Sequence, residues 1–291
     1  MKILIIGASG LLGKELMKDF SNGNEVCGTY STRAAEGLIH LDMSQKAEIK
    51  DVFGRIKPEA VIIPGSITAV DFSEQNQDLA WRVNVEGIKN VAVLSKKAGA
   101  FVLYYSTDYI FDGKAGPYSE TDKPNPINFY GRTKLEAERV IQKELKGSFL
   151  IIRPCSIYGY EKNGNNFAMQ VLTSLKADKN FTSFRDQYGT PTYSEDLSEI
   201  SLKLFSNKKE GIFNVAGPDF INRVQFSKDI ADVFGLDAGL IKEIGSTKGR
   251  QLAKRPLRGG FKIDKLKREL GFSTLPLKEG LIKMKEESKK G

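Results

Sequence analysis

Lys2-Ile3-Leu4-Ile5-Ile6 runs without a break into Gly7-Ala8-Ser9-Gly10-Leu11-Leu12-Gly13 and then into a stretch of helical character. An apolar strand, a glycine turn and a helix, in that order, are what a dinucleotide diphosphate needs. Glycines permit a tight turn and close backbone approach, and the first helical turn offers free N–H groups with a partial positive charge. The spacing is G-x-x-G-x-x-G, which differs from the commoner G-x-G-x-x-G fingerprint. Gly7, Ser9, Gly10, Leu11, Leu12 and Gly13 are therefore the expected cofactor contacts. The alternative is an ordinary glycine-rich strand-to-helix turn with no ligand.

Outward from this turn the chain alternates. Apolar strands are predicted at about 2–6, 25–30, 37–41, 59–63, 100–105 and 148–153. Helical patterns lie between most of them, at about 12–21, 44–56, 73–98 and 129–146. Such alternation predicts an α/β fold: a doubly wound parallel (Rossmann) sheet with ligands at the carboxyl ends of its strands. Beyond residue 155 the pattern loosens. Helices are expected near 166–177, 194–206, 222–235, 263–270 and 278–289, with strands at 181–184 and 211–215. The expected division is a nucleotide-binding domain over 1–155, rejoined by a return segment near 185–206, and a smaller α/β substrate lobe over 156–291. The loop from Asp112 to Pro126, rich in Gly, Pro and Asp, is expected to be a mobile flap.

The end of the second strand bears on the choice of cofactor. An acidic residue there would bind the ribose 2′-hydroxyl of NAD, whereas an arginine suits the 2′-phosphate of NADP. The strand Glu25–Tyr30 is followed by Ser31-Thr32-Arg33, with no carboxylate until Glu36. Ser31 and Arg33 favour NADP(H) and leave NAD(H) open. Asp42, followed by Met43, could accept from the adenine amine or cap the helix beginning near Ser44.

A second decisive stretch is Ser106-Thr107-Asp108-Tyr109-Ile110-Phe111-Asp112-Gly113, which places hydroxyls at the end of an apolar strand. Tyr130 and Lys134 follow, four positions apart and so on one face of a helix. A cation beside a phenol favours its charged form and lowers its pKa from about 10. That pair suits a proton donor to a carbonyl receiving hydride, with Thr107 as a second donor.

Composition narrows the rest. Forty per cent apolar content suffices for a core, and no segment approaches the ~20 apolar residues that span a bilayer. The first apolar run is a short strand entering the glycine turn directly, so no signal peptide is expected. Cys27 and Cys155 sit in apolar, strand-like contexts and read as buried free thiols, consistent with a cytoplasmic setting. His40 is the only histidine, which argues against a histidine-based metal site or a Ser-His-Asp triad. The net charge of +8 comes from scattered residues without a nucleic-acid-binding signature. It suits an acidic ligand, whose phosphates Arg185, Lys254, Arg255 and Arg258 could meet. The lysines between Lys278 and Lys290 read as the solvated face of a terminal helix.

Together these residues resemble the extended short-chain dehydrogenase/reductase superfamily, and within it the dTDP-4-dehydrorhamnose reductases. The resemblance also rests on Thr68-Ala69-Val70-Asp71, Val83-Asn84, Pro117-Tyr118, Gly164-Asn165-Asn166-Phe167, Asp186-Gln187-x-Gly189-Thr190-Pro191-Thr192 and Arg255-Pro256. It implies reduction of the 4-keto group of a nucleotide-linked deoxy sugar by NAD(P)H. Tyr130 would be the general acid and Lys134 its partner, also holding the nicotinamide ribose. Thr107 would bond the substrate oxygen, Asp108 and Tyr109 would line the sugar pocket, and Thr68, Val70, Ile157, Asn166 and Arg255 would meet substrate. A homodimer is a further family expectation. This chain has Ile157 where the family commonly has tryptophan. It also has Leu257-Arg258-Gly259-Gly260 after the Arg-Pro pair and Pro64-Gly65-Ser66-Ile67 after the fourth strand. All three departures lie where substrate would be chosen. The chain also resembles the non-catalytic regulatory subunit of methionine adenosyltransferase, so a regulatory NADP-binding role stays open, as does a nucleotide-sugar epimerase or dehydratase.

Overall fold

The computed structural model describes residues 1–291 except Asn163, Asn165, Phe272 and Gly291. In chain order the first elements are β1 (Lys2–Ile6), α1 (Leu11–Phe20), β2 (Glu25–Tyr30), β3 (Ile39–His40), α2 (Lys46–Ile56), β4 (Ala60–Ile63), α3 (Val70–Gln75), α4 (Gln77–Trp81), α5 (Ile88–Ala98), β5 (Phe101–Tyr105), α6 (Phe129–Leu145) and β6 (Phe149–Arg153). There follow β7 (Ile157–Tyr158), α7 (Phe167–Lys176), β8 (Phe181–Phe184), β9 (Tyr188–Gly189), β10 (Thr192–Tyr193), α8 (Ser194–Ser206), β11 (Gly211–Asn214), β12 (Ile221–Asn222), α9 (Arg223–Phe234), β13 (Ile241–Ile244), α10 (Asp264–Leu270) and α11 (Leu277–Glu287).

The main sheet is parallel throughout, in the order β11-β6-β5-β4-β1-β2-β3. Strand side chains alternate between faces. Ile3 and Ile5 of β1 accordingly join one core with Leu12, Leu16 and Phe20 of α1, while Leu4 and Ile6 join the other with Ile88 and Val91 of α5. Because both faces are covered, the inner strands β1, β4, β5 and β6 read as apolar runs. A third core, around Tyr158, Leu172, Phe226 and Leu281, fills the C-terminal lobe. Its two-stranded pairings are β7 with β10, β9 with β12 and β8 with β13.

The structure departs from the sequence expectations in four places. The helix expected over 73–98 is broken at Asn76 and again by a π-helical turn over Arg82–Gly87. That turn admits the fully buried Asn84, whose side chain bonds both the N–H and the C=O of Ile67 and the Thr133 hydroxyl. The strand at 211–215, read as part of the second lobe, is instead the edge strand β11 beside β6, and α8 packs on α1. The return to the main sheet runs over Ser194–Asn214, which includes the α8 part of the expected 185–206 segment and extends it to β11. β6 is buried along its whole length and requires a neighbour on that edge. The loop after Asp112 is tied down rather than free. Arg258 N–H donates to Gly113 O at 2.8 Å, Tyr118 N–H to Gly260 O at 2.9 Å and Lys262 N–H to Tyr118 O at 2.8 Å. Tyr118 also stacks on Phe111, ring centroids 4.2 Å apart. Finally, both cysteines are free thiols, but only Cys155 is buried and Cys27 is half-buried.

Among the described residues no helix is long and apolar enough to cross a membrane, and no cluster of metal-ligating side chains occurs. His40 lies on β3 with its Nδ1 3.3 Å from Glu48.

Gly13 holds α1 against the first strand: a Cβ there would lie 2.3 Å from Gly7 O and 2.7 Å from Ala8 Cα. Gly13→Ala is expected to destabilise the fold by about 1–3 kcal/mol through overpacking. A lowered midpoint of urea unfolding at unchanged m-value would show it; an unaltered midpoint would not fit.

Candidate active site

Strand order reverses between β1 and β4, and the turns that leave these strands touch. A Cβ on Gly65 would come 3.2 Å from Gly7 Cα, a tight approach that leaves little room for a side chain at either position. Gly7, at φ +94°, turns the backbone, and its N–H donates to Thr29 Oγ1 at 3.3 Å. Gly10 is the N-cap of α1 and has no side chain to cap the first turn. A Cβ at Gly10 would meet only Gly7 O, at an ordinary 3.5 Å. The turn thus offers uncapped N–H groups beneath open space, which fits a dinucleotide diphosphate. Ser9 and Leu11 are half-buried beside it, and Leu12 points into the core.

At the far side of this groove Ser31 and Arg33 are exposed, and Arg33 reaches Glu161 at 3.5 Å. Asp42 does not cap α2. Its carboxylate accepts from Ser44 N–H at 2.8 Å within the preceding turn, and the helix N-cap is Gln45. Met43 is buried against Gly87, where a Cβ would meet Met43 O at 2.6 Å.

The catalytic candidates converge at the end of β5. Tyr130, in the first turn of α6, is 6 % exposed and packs edge-on to Tyr109, ring centroids 5.8 Å apart. Asn128 caps that turn by accepting from Gly131 N–H at 2.8 Å. Thr107 is 7 % exposed, faces the phenol and accepts from Tyr109 N–H. Next to it the buried Ser106 hydroxyl has no hydrogen-bond partner among the described residues. One turn deeper, Lys134 Nζ donates to Tyr105 O at 2.6 Å, lies 3.4 Å from Ser66 Oγ and sits over the Tyr104 ring.

The electrostatics differ from the sequence expectation. Burial pushes the Tyr130 phenol above its ordinary value, with the Thr107 hydrogen bond working against that rise. Lys134 is pulled down to about 7, because burial disfavours its ammonium while Glu138 favours it. The ammonium is directed at Tyr105 O and Ser66, so burial, not a neighbouring cation, dominates the phenol. For a reduction this is useful: the phenol is held in its proton-donating form.

Glu138, which the sequence reading passed over, bears on the Lys134 charge. It lies four positions beyond Lys134 on the same helical face and makes two bonds to Arg153, at 2.9 and 2.6 Å, with side chains 1 % and 3 % exposed. The repeat of that spacing after Tyr130 was the available signal.

The expected substrate contacts scatter more widely. Tyr109 joins Tyr130, and Ile157, half-buried on β7, packs against the first core. Thr68 is exposed and Val70 half-buried at the start of α3. Asp108 is turned inward: Cys155 Sγ–H and Gly260 N–H donate to its carboxyl at 3.2 and 3.3 Å, and burial raises its pKa. Burial, and then the Asp108 charge, raise the Cys155 thiol in return. Asn166 caps α7 and donates to Gly159 O at 3.0 Å, so its amide is spent on structure; Asn165 lies outside the described residues. Arg255 clasps Asp71 at 2.8 Å, joining the C-terminal segment to α3. Burial raises that aspartate, but the Ala253 N–H and Arg255 outweigh it and hold the carboxyl below its usual range. Arg185 and Lys254 are exposed, and Arg258 lies against the Tyr188 and Phe220 rings. Arg223, which sequence reading passed over, lies over Phe167 and is felt electrostatically at both Asp108 and Tyr109.

Between about 7 and the ordinary 10.5 of lysine, the unfolded chain holds a proton at Lys134 that the folded chain lacks, so stability rises with pH. Lys134→Met should abolish that slope. Urea midpoints of the two proteins, compared from about pH 7 to pH 10, should converge or cross in favour of the parent as pH rises. Parallel curves would contradict a depressed amine.

The likeness to known proteins extends over the whole chain. Residues 1–289 match the family described as RmlD substrate binding domain. A dTDP-4-dehydrorhamnose reductase from Salmonella typhimurium is 32 % identical over 225 residues, covering 75 % of this chain and 73 % of that one. The methionine adenosyltransferase 2 subunit beta of Xenopus tropicalis is 30 % identical over 251 residues, 84 % of this chain and 75 % of its own. Among solved structures, a Bacillus anthracis dTDP-4-dehydrorhamnose reductase in complex with NADP superposes with a TM-score of 0.90 at 30 % identity, covering 99 % of this chain and 100 % of that one. With the glycine turn, the Tyr130–Lys134 helix and the seven-stranded parallel sheet all in place, the chain belongs to the RmlD substrate binding domain family.

Proposed function

We propose that this chain reduces the 4-keto group of a nucleotide-linked deoxy sugar with NADPH, in the manner of a dTDP-4-dehydrorhamnose reductase. The observation that carries the reading is the meeting of Thr107, Tyr109 and Tyr130 at the end of β5, with Lys134 one helical turn deeper. Relatives bearing that reductase name support it, one of them solved with NADP.

NADPH, when bound, supplies the hydride. The chain's residues supply the rest. Gly7, Ser9, Gly10, Leu11, Leu12 and Gly13 present the first turn of α1 to the diphosphate, Ser31 and Arg33 take the 2′-phosphate, and Lys134 holds the nicotinamide ribose. Tyr130, kept protonated by burial, donates its proton to the oxygen of the reacting carbonyl. Thr107 offers a second hydroxyl to that oxygen; two donors aimed where charge develops lower the barrier more than either alone. The ammonium form of Lys134 then favours the phenolate left behind, and Glu138 favours that ammonium. Tyr109 and Ile157 line the sugar side, with Thr68 and Val70 at its edge and Arg223 and Arg255 near its anionic end.

The same reading assigns residues 1–155, rejoined by the Ser194–Asn214 segment, to cofactor and the remainder to sugar nucleotide. It also takes the protein as cytoplasmic, which its two free thiols support, and as a homodimer. The likeness to methionine adenosyltransferase subunits supports a regulatory alternative, but that role needs none of the convergence around Tyr130.

Tyr130→Phe is expected to lower kcat about 10²–10⁴-fold on a 4-keto sugar nucleotide, as loss of a general acid does, with NADPH affinity nearly unchanged. NADPH consumption over a panel of such sugars would measure this. Turnover of the variant at the parental rate, or no turnover of any panel member by the parent, would remove the proposed role.

A further inference from the structure

Lys14 and Arg33 stand at two separate points of the cofactor groove, the first in the opening turn of α1 and the second in the loop after β2. Their charged groups nonetheless converge on one atom. Lys14 Nζ lies 3.3 Å and Arg33 Nη1 3.5 Å from Oε1 of Glu161, which arrives on the segment following β7. The two cations are exposed, with side-chain exposures of 56 % and 59 %, whereas that of Glu161 is 9 %. Nor is Glu161 a loose surface carboxylate. Gly164 N–H donates to its carbonyl at 2.7 Å, and a Cβ on Gly164 would lie 2.7 Å from its Cβ and 3.0 Å from Oε2. A side chain at position 164 would crowd Glu161, whose carboxylate is turned toward the cation pair.

We propose that Glu161 is a specificity-determining residue. It competes with the 2′-phosphate of the dinucleotide for Arg33 and Lys14, and so sets how strongly the chain prefers phosphorylated over unphosphorylated cofactor. The proposal rests on the NADPH reading above. One carboxylate cancels one of the two positive charges, leaving a net single charge for an incoming phosphate. A phosphate that engages Arg33 must displace Glu161 or share the cation with it, and two anions on one cation repel. Because the carboxylate is largely shielded from water, that repulsion is screened less than at an open surface. A cofactor lacking the 2′-phosphate does not call on Arg33 and escapes the competition. Glu161 thus moderates NADPH affinity without setting that of NADH.

Fluorescence titrations of the full chain with NADPH and NADH test this. Glu161→Gln keeps the shape and removes the charge. It is expected to tighten NADPH about tenfold while NADH changes less than about twofold, a differential of roughly one decade in Kd. In an Arg33→Met background the same substitution should lose that effect. Glu161→Asp, which draws the carboxylate back by one methylene, should shift NADPH in the same direction by less, and serves if the glutamine variant folds poorly. Unchanged NADPH affinity in Glu161→Gln overturns the proposal. So does equal weakening of both cofactors, which would mark Glu161 as a clasp that retains any dinucleotide. Tightening that persists undiminished without Arg33 also overturns it. If the parent binds neither cofactor, the cofactor reading itself fails, an outcome distinct from all of these.

Discussion

The ion pair between Glu138 and Arg153 is the constraint on which the site depends. Removing two charges from water costs several kcal/mol per ion, and mutual attraction offsets this only in good geometry with further hydrogen bonds. Here two parallel bonds, the shorter 2.6 Å, join α6 to β6 in nearly complete burial. Alternative rotations of α6 would leave both charges unpaired and are excluded by that cost. With the helix rotation fixed, Lys134 and Tyr130, one and two turns toward the N-terminus, must face the carboxyl end of β5. A polar interaction midway along a helix thereby orients the phenol in its first turn.

A second set of contacts fixes the site from the side of β4. Asn84, admitted by the π-helical turn, bonds both polar backbone groups of Ile67 and the Thr133 hydroxyl of α6. Thr133 in turn donates to Tyr130 O at 2.8 Å. The loop that carries Ser66, the helix that carries Lys134 and the residue that carries the phenol are therefore one connected network. π-helical turns of this kind frequently occur where a function requires an inward polar group. Satisfaction of every partner matters, since a half-satisfied buried network is worse than an apolar one.

Much of this was legible in the chain itself. Apolar runs located the inner strands β1, β4, β5 and β6, because burial on both faces suppresses alternation. The glycine turn and the Tyr130–Lys134 spacing pointed to the candidate site, because backbone sterics and helical periodicity are local. What escaped depends on partners distant in sequence. No local signal shows that β11 would join β6 across the whole lobe, or that Gly113 and Gly116 would pair with backbone near Arg258. The direction of the Tyr130 shift could not be read from a spacing, since burial is a property of the fold. Asp108 and Asn166 carry the right chemistry at matched positions, yet their polar groups are consumed by Gly260, Cys155 and the first turn of α7.

The placement of β11 has a consequence for how the molecule is made. The strand that completes the nucleotide-binding sheet, and α8 that covers α1, come from the final third of the chain. A nascent polypeptide that has emerged only as far as Cys155 carries a bare parallel edge at β6 and an uncovered apolar stripe on α1. Unpaired edges and exposed apolar surface of this kind invite association with other chains. The first-made half is therefore obliged to wait for its closing strand, and such long-range pairing is intrinsically slow. The first half cannot complete its sheet before β11 is made, although its sequence, taken alone, looks like a finished domain.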